Sequence, residues 1–291
     1  MTVRRLVVSG DDFGAAAEVN AGIVKAHTVG ILTSTSLMVT GAAAAAAIEL
    51  ARAHPTLAVG LHLVLVQGRP AAPASQIPMM VRGAGEFGRQ SVLTALRYAW
   101  EYVLRRGKEQ LRREISTQLE MFLSSGLPLA HLDGHLNMHL HPMVLAILLE
   151  LAPQYGIRAI RLSREELGPA LRYDRRHALR KTLEGGVFHA LAAYAGPRLR
   201  AAGIVVADRV YGMHQTGHLD EAYLLHLLAA LPEGSSEIYG HPALGRPAAL
   251  ARDQQSYDHA GEVDALTSPR VRALIERAGI ELTNYQRLVG V

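Results

Sequence analysis

Short β-type runs alternate with helical stretches along almost the whole chain, and this alternation limits the fold more than any other feature. Runs rich in Val, Leu, Ile and Thr at residues 5–9, 32–39, 57–66, 127–132, 157–162, 204–211, 237–239 and 281–285 read as strands. Between them, residues 15–28, 42–53, 102–125, 143–155, 179–202, 221–231 and 268–278 read as helices. Leu111, Ile115, Leu119 and Phe122 form an apolar stripe at helical spacing. The 179–202 helix is expected to break near Gly196-Pro197, where proline removes a backbone donor. Residues 68–88, rich in Pro, Ala and Gly, read as a loop. Repeated βα units demand parallel strands with helices packed outside.

The chain has 291 residues, 49% hydrophobic and 19% charged, enough for the core of one α/β barrel of about 250 residues. One domain over 1–291 is expected, with an insertion or lid around 164–200. Cysteine is absent, which excludes disulfides, a thiol nucleophile and thiolate metal sites. No apolar run approaches the roughly 20 residues of a membrane span. The apolar stretch Leu6 to Val8 is far shorter than the core of a signal peptide, so a cytoplasmic location is expected. A net charge of +4 without a recognition motif gives no reason to expect nucleic-acid binding. Residues 171–181 carry Arg172, Arg175, Arg176, Arg180 and Lys181 against Asp174 alone. Such a basic helix is either a peripheral contact with an anionic bilayer or a solvated lid. A homodimer is equally compatible with the sequence.

Fourteen histidines turn attention to metal and acid–base chemistry. Four motifs stand out. Asp11 and Asp12 end the first strand, where one carboxylate can face a metal and the other a substrate; the competing reading is a helix cap and a turn. His62 interrupts an apolar strand, as a ligand or as a satisfied core residue. Residues 131–142 hold His131, Asp133, His135, His139 and His141 where a strand gives way to a helix. Neutral imidazoles bind Zn and similar ions well, and burying so many titratable groups without a task is costly. His131, Asp133 and His135 alternate onto one side of an extended chain, and some of the histidines must orient the others. His241 follows the short strand at 237–239. All four motifs fall at the C-terminal ends of predicted strands, the rim on which barrel active sites assemble, and this favours a closed barrel over an open sheet.

These motifs resemble the YdjC-like family of carbohydrate deacetylases. Asp11-Asp12-Phe13-Gly14 with Val19-Asn20-Ala21-Gly22-Ile23 resembles its opening signature. Thr33-Ser34-Thr35-Ser36-Leu37-Met38, Gly60-Leu61-His62, His131-Leu132-Asp133-Gly134-His135, His241-Pro242 and Leu266-Thr267-Ser268-Pro269 follow in order, so the likeness spans residues 3–285. It implies an α/β fold, a distorted (β/α) barrel of the glycoside hydrolase/deacetylase type. It also implies a divalent ion, Mg2+ or Zn2+, held by Asp12, His62 and His135, with Asp11 as catalytic base. His241 is the candidate general acid, and Phe13, Asn20, Met38 and His139 are candidate substrate contacts by position. Residues 60–70, 139–142 and 237–243 are similar to the hopanoid-biosynthesis-associated branch, HpnK, which implies an N-acetylglucosaminyl hopanoid as substrate. Leu136-Asn137-Met138 departs from the His-rich run of many members, and His259 stands near a position where an Arg is common. The competing functions are deacetylation of chitooligosaccharides, another metal-dependent amidase or phosphoesterase, and a non-catalytic metal- or glycan-binding protein. Asp11 and Asp12 together argue against the last, since a binder needs no base.

Overall fold

The computed structural model describes residues 3–82, 85–88, 105–247, 250 and 252–290. The first half runs β1 (Arg4–Phe13), α1 (Ala17–Thr28), β2 (Ser34–Leu37), α2 (Ala44–Ala53) and β3 (Ala58–Leu63). A two-stranded hairpin, β4 (Val81–Arg82) with β5 (Glu86–Phe87), lies inside the segment expected to be loop. There follow α3 (Arg105–Ser124), β6 (Leu132–Gly134), a 3-10 turn (His135–Leu140) and α4 (Pro142–Tyr155). Next come α5 (Leu167–Tyr173), α6 (Ala178–Ala201), β7 (Arg209–Tyr211), α7 (Glu221–Ala229) and β8 (Gly234–Gly240). A 3-10 turn (Arg252–Ser256), α8 (His259–Leu266), α9 (Pro269–Arg277), β9 (Ile280–Thr283) and α10 (Tyr285–Val289) complete the order. The start of the helix expected from residue 102 lies outside the described residues.

The strands pair in the order β6-β3-β2-β1-β8-β7, all parallel. One edge of β1 is shared between two partners: β9 takes Arg4–Val7 and β2 takes Ser9 to Phe13. The run 157–162 forms no full strand. It alternates its bonds between two neighbours, with one bridge from Ile160 to Leu132 and one from Ala159 to Val205. Residue 205 leads by chain into β7, so these two bridges join the ends of the curled sheet into a distorted (β/α) barrel. The strand expected at 204–211 is likewise reduced to the Val205 bridge and β7.

Burial follows the helical periodicity. Leu111, Ile115, Leu119 and Phe122 on α3 are all sealed from solvent. Glu114 and Gln118 on the same helix are buried as well, because they hydrogen-bond the backbone of Val64, Ala71 and Ala72. They fix the chain that leaves β3 at the rim.

Two helical expectations need correction. α6 runs through Gly196-Pro197 without a break, since its buried Ala192, Ala195, Gly196 and Leu199 hold it against the core. The basic stretch 171–181 is two helices, parted by residues 174–177, with His177 in the left-handed region at φ 57°. Its cations are partly neutralised, as Arg176 and Lys181 pair with Asp174 and Arg180 pairs with Glu184. Among the described residues no helix is long and apolar enough to cross a membrane.

Candidate active site

β1 extends further than its sequence suggests, through both aspartates to Phe13. Neighbouring strand residues ordinarily point to opposite faces. Here the β1–β2 register slips between Gly10 and Phe13, and Asp12 takes φ 65°. A bulge of this kind turns side chains out of strict alternation, and Asp tolerates the left-handed region better than most residues. Both carboxylates are therefore available at the same rim, and both are buried.

Asp12, His62 and His135 meet there. His62 comes from β3 and His135 from the residue after β6, strands paired so that His62 lies beside Asp133. His62 Nε2 and His135 Nδ1 each lie 3.2 Å from Asp12 Oδ1. Two ligands of a tetrahedral ion at zinc-like bond lengths stand about 3.3 Å apart, so the spacing fits a shared cation. The other oxygen, Asp12 Oδ2, accepts from Gln254 Nε2 at 2.6 Å. His62 Nδ1 donates to Asp133 Oδ1 at 2.8 Å. A carboxylate can only accept, so this bond presents the lone pair of neutral His62 at Nε2, the usual outer support of a metal-bound imidazole. Gly60 makes room behind the ligands, because a Cβ there would stand 2.5 Å from the His131 ring.

Arg161 organises the second half of the site. Its guanidinium binds both oxygens of Asp11 at 2.6 and 2.8 Å, Asp133 Oδ2 at 2.8 Å and Glu237 Oε1 at 2.8 Å. It also lies 4.5 Å above the Tyr239 ring. Tyr285 donates to the other oxygen of Glu237 at 2.6 Å. Asp11, Asp12, Asp133 and Glu237 thus place four buried carboxylates against one guanidinium. That excess of negative charge is what a divalent cation would offset. Burial alone lowers the His62 imidazole, yet the Asp133 charge and hydrogen bonds with Asp12 and Asp133 push it up to about 10. The pocket therefore favours positive charge at the very place where the three ligand atoms converge, and the residues fit a divalent ion.

His241 follows β8, half-buried beside Tyr257, with ring centroids 5.2 Å apart. Burial lowers its pKa, and the nearby Asp12 and Asp11 charges oppose that shift. Its backbone N–H donates to Glu262, which also accepts from Leu219 N–H. His259 Nδ1 faces the His241 carbonyl oxygen at 2.6 Å.

The four expected substrate contacts lie in different settings. Phe13 is fully buried in the core. Asn20 accepts from Gly14 N–H at 2.7 Å and donates to the Ala43 carbonyl at 3.1 Å, which fixes the turn after β1. His139 is also fully buried, its Nε2 donating to the Arg161 carbonyl at 2.9 Å, and burial lowers it to about 4. Met38 alone keeps partial exposure. Arg161, Glu237 and Gln254 were not singled out from sequence. The one signal is a pair of arginines in a short apolar run, of which Arg161 is buried while Arg158, three residues earlier, is exposed.

Beside this cluster opens a cavity of about 1160 Å³. Leu136, Asn137, Tyr239 and Glu262 form the wall nearest the site, and α6 forms the opposite wall. Leu136 and Asn137 both take positive φ, at 51° and 56°. Asn137 Oδ1 accepts from Ser163 Oγ at 2.5 Å.

The fold and site define a class: a parallel (β/α) barrel whose C-terminal rim carries a buried Asp/His/His cluster able to hold a metal ion. The chain belongs to the YdjC-like protein family, whose model matches residues 5–277. It is 30% identical to the chitooligosaccharide deacetylase of Serratia marcescens, over 97% of this chain and 98% of that protein. It is 39% identical to the carbohydrate deacetylase of Brevibacillus brevis over 53% of this chain, a match that spans only 57% of that relative's length. Among solved structures, a candidate cellobiose-phosphate cleavage protein of Enterococcus faecalis superposes with a TM-score of 0.75 at 29% identity, covering 99% of both chains.

Proposed function

We propose that this protein is a metal-dependent carbohydrate N-deacetylase, which hydrolyses the acetamide of an N-acetylated amino sugar. The observation that carries this reading is the convergence of Asp12, His62 and His135 beside an Arg161-clamped Asp11. The names of the relatives support the same chemistry. A divalent ion, Zn2+ or Mg2+, held by Asp12, His62 and His135 would acidify water and polarise the acetyl carbonyl. Asp11 takes the proton of the attacking water. Arg161 occupies both Asp11 oxygens, yet each keeps a lone pair for that proton. His241 gives a proton to the leaving nitrogen, and its depressed pKa makes it a strong donor once charged. Met38, the partly exposed member of the four expected contacts, borders the bound sugar.

Two substrates fit an N-acetylglucosamine end: a chitooligosaccharide, in line with the Serratia relative, and an N-acetylglucosaminyl hopanoid, in line with the narrower sequence likeness. Acetate release from the two, offered side by side to metal-reconstituted protein, separates them. Asp11→Asn is expected to lower turnover by about 10²–10⁴-fold while the metal stays bound. Full turnover in Asp11→Asn would remove Asp11 from the mechanism, and acetate from neither substrate would sink the deacetylase reading.

A further inference from the structure

The cavity beside the site carries polar groups that the reaction itself does not use. The loop after β7, residues 212–217, is moulded around one half-buried carboxylate. Glu165 accepts from the backbone N–H of His214 at 2.9 Å and from the Tyr223 hydroxyl at 3.1 Å. Burial raises Glu165 to about 7 against these bonds and those from Met213 and Gly212 N–H. This arrangement turns His214 and Gln215 inward. They are 6% and 7% exposed, and both line the cavity. Neither ring nitrogen of His214 has a protein partner, nor does Gln215 Nε2. Such groups cost about 1–3 kcal/mol each when left unpaired in a dry setting, so a fold keeps them where something pairs with them. His214 is held down to about 4 by burial and the Lys181 charge, so at neutral pH its ring offers one donor and one acceptor.

The opposite wall is charged at the start of α6, where Arg180, Lys181 and Glu184 line it, and apolar further along. Val187, Phe188 and Leu191 on α6 line the same space, and Gly185 leaves room for the His214 ring, 3.3 Å from where a Cβ would be. A pyranose has a matching shape: its C–H faces pack on apolar and aromatic side chains while its rim of hydroxyls both donates and accepts. At about 1160 Å³ the cavity is larger than one sugar ring needs. Resting on the deacetylase reading, we propose that His214 and Gln215 form a subsite for a second, hydroxyl-rich sugar unit attached to the ring that loses its acetyl group. These two residues set preference for the length of the glycan and take no part in bond breaking.

The test compares N-acetylglucosamine, N,N'-diacetylchitobiose and octyl N-acetylglucosaminide. Binding is measured by calorimetry in the Asp11→Asn background, and turnover in the otherwise unaltered chain. His214→Ala and Gln215→Ala are each expected to weaken disaccharide binding about tenfold, as a rise in KM with kcat kept, and to leave the monosaccharide unchanged. Gly185→Leu, which fills the space in front of His214 from the other wall, is expected to do the same. Equal losses on both sugars would give His214 and Gln215 a purely structural role and overturn the proposal. So would disaccharide binding indifferent to all three substitutions, or tight binding of the octyl glycoside alone, which would assign the cavity to an apolar aglycone. Disaccharide binding that depends on His214, without acetate release from any compound, would keep the subsite and discard the deacetylase reading.

Discussion

Two polar regions share one end of the barrel and are built on opposite rules. Around Asp12 and Arg161 every carboxylate has a charged or hydrogen-bonding partner within 3.2 Å; the carboxylates stand on β1, β6 and β8, and the partners come from β3, from the 157–162 run and from two 3-10 turns. Around His214 the two ring nitrogens and Gln215 Nε2 have no protein partner, and they sit on a loop that faces a helix. Strand register sets where Asp11, Asp12, His62 and Asp133 stand in the first region. One half-buried acid, Glu165, shapes the second by accepting from the loop backbone. The first region holds its carboxylates by charge, although the His131 ring and His139 Nδ1 beside it stay without a hydrogen-bond partner, whereas the second leaves both ring nitrogens of His214 and Gln215 Nε2 facing a cavity.

The strongest way to break this division is to cut the first region. His135→Ala is expected to abolish stoichiometric metal binding and to lower turnover by about 10³-fold or more, as read by elemental analysis and acetate release. His214→Ala should keep its metal. If His214→Ala also lost metal, the two regions would be one.

Next in size is Arg161→Leu. Removing the guanidinium leaves Asp11, Asp133 and Glu237 buried without their shared cation, at an expected cost of about 3–5 kcal/mol in urea unfolding. A loss below about 1 kcal/mol would mean that water reaches these carboxylates and that the cluster is not dry.

The smallest effect concerns pH and the loop. Glu165 has a folded pKa of about 7 against an ordinary 4.5, so the folded state holds its proton more tightly than the unfolded chain. Its contribution is complete below about pH 4.5 and is lost as pH rises through about 7. Between pH 5 and 8 the wild type should therefore lose about 1–2 kcal/mol relative to Glu165→Gln, measured by chemical unfolding across the range. Parallel stability curves would place Glu165 in contact with solvent.

The legibility of the molecule follows the same division. Each of Asp12, His62 and His135 stands out locally as a polar residue in or just beyond an apolar run, and the resemblance to the YdjC-like family groups them as one set. Arg161 sits in such a run too, but an isolated arginine reads as an exposed edge residue, and nothing local announces three carboxylates from three other strands. Gln254 lies in a 3-10 turn with no periodic signature, 242 residues from the aspartate it holds. α8 leaves no mark in the sequence, because eight residues carry too few turns to show a stripe. The strand expected at 157–162 is longer than the single bridges found there, since composition reports β propensity and not how many partners the curvature allows. His214 and Gln215 gave no signal, because their role depends on a helix that crosses in front of them.

Arg161 has one more consequence. Among the described residues the barrel is joined between β6 and β7 by two isolated backbone bridges, and Arg161 stands in that segment. Its side chain reaches Asp133 on β6, Asp11 on β1 and Glu237 on β8, and so ties the sparsest seam of the wall to three well-paired staves. The guanidinium that holds Asp11 is thus also a hoop around the cask: it fastens the segment between the two bridges to three neighbouring staves, so the join and the candidate site share one fastening.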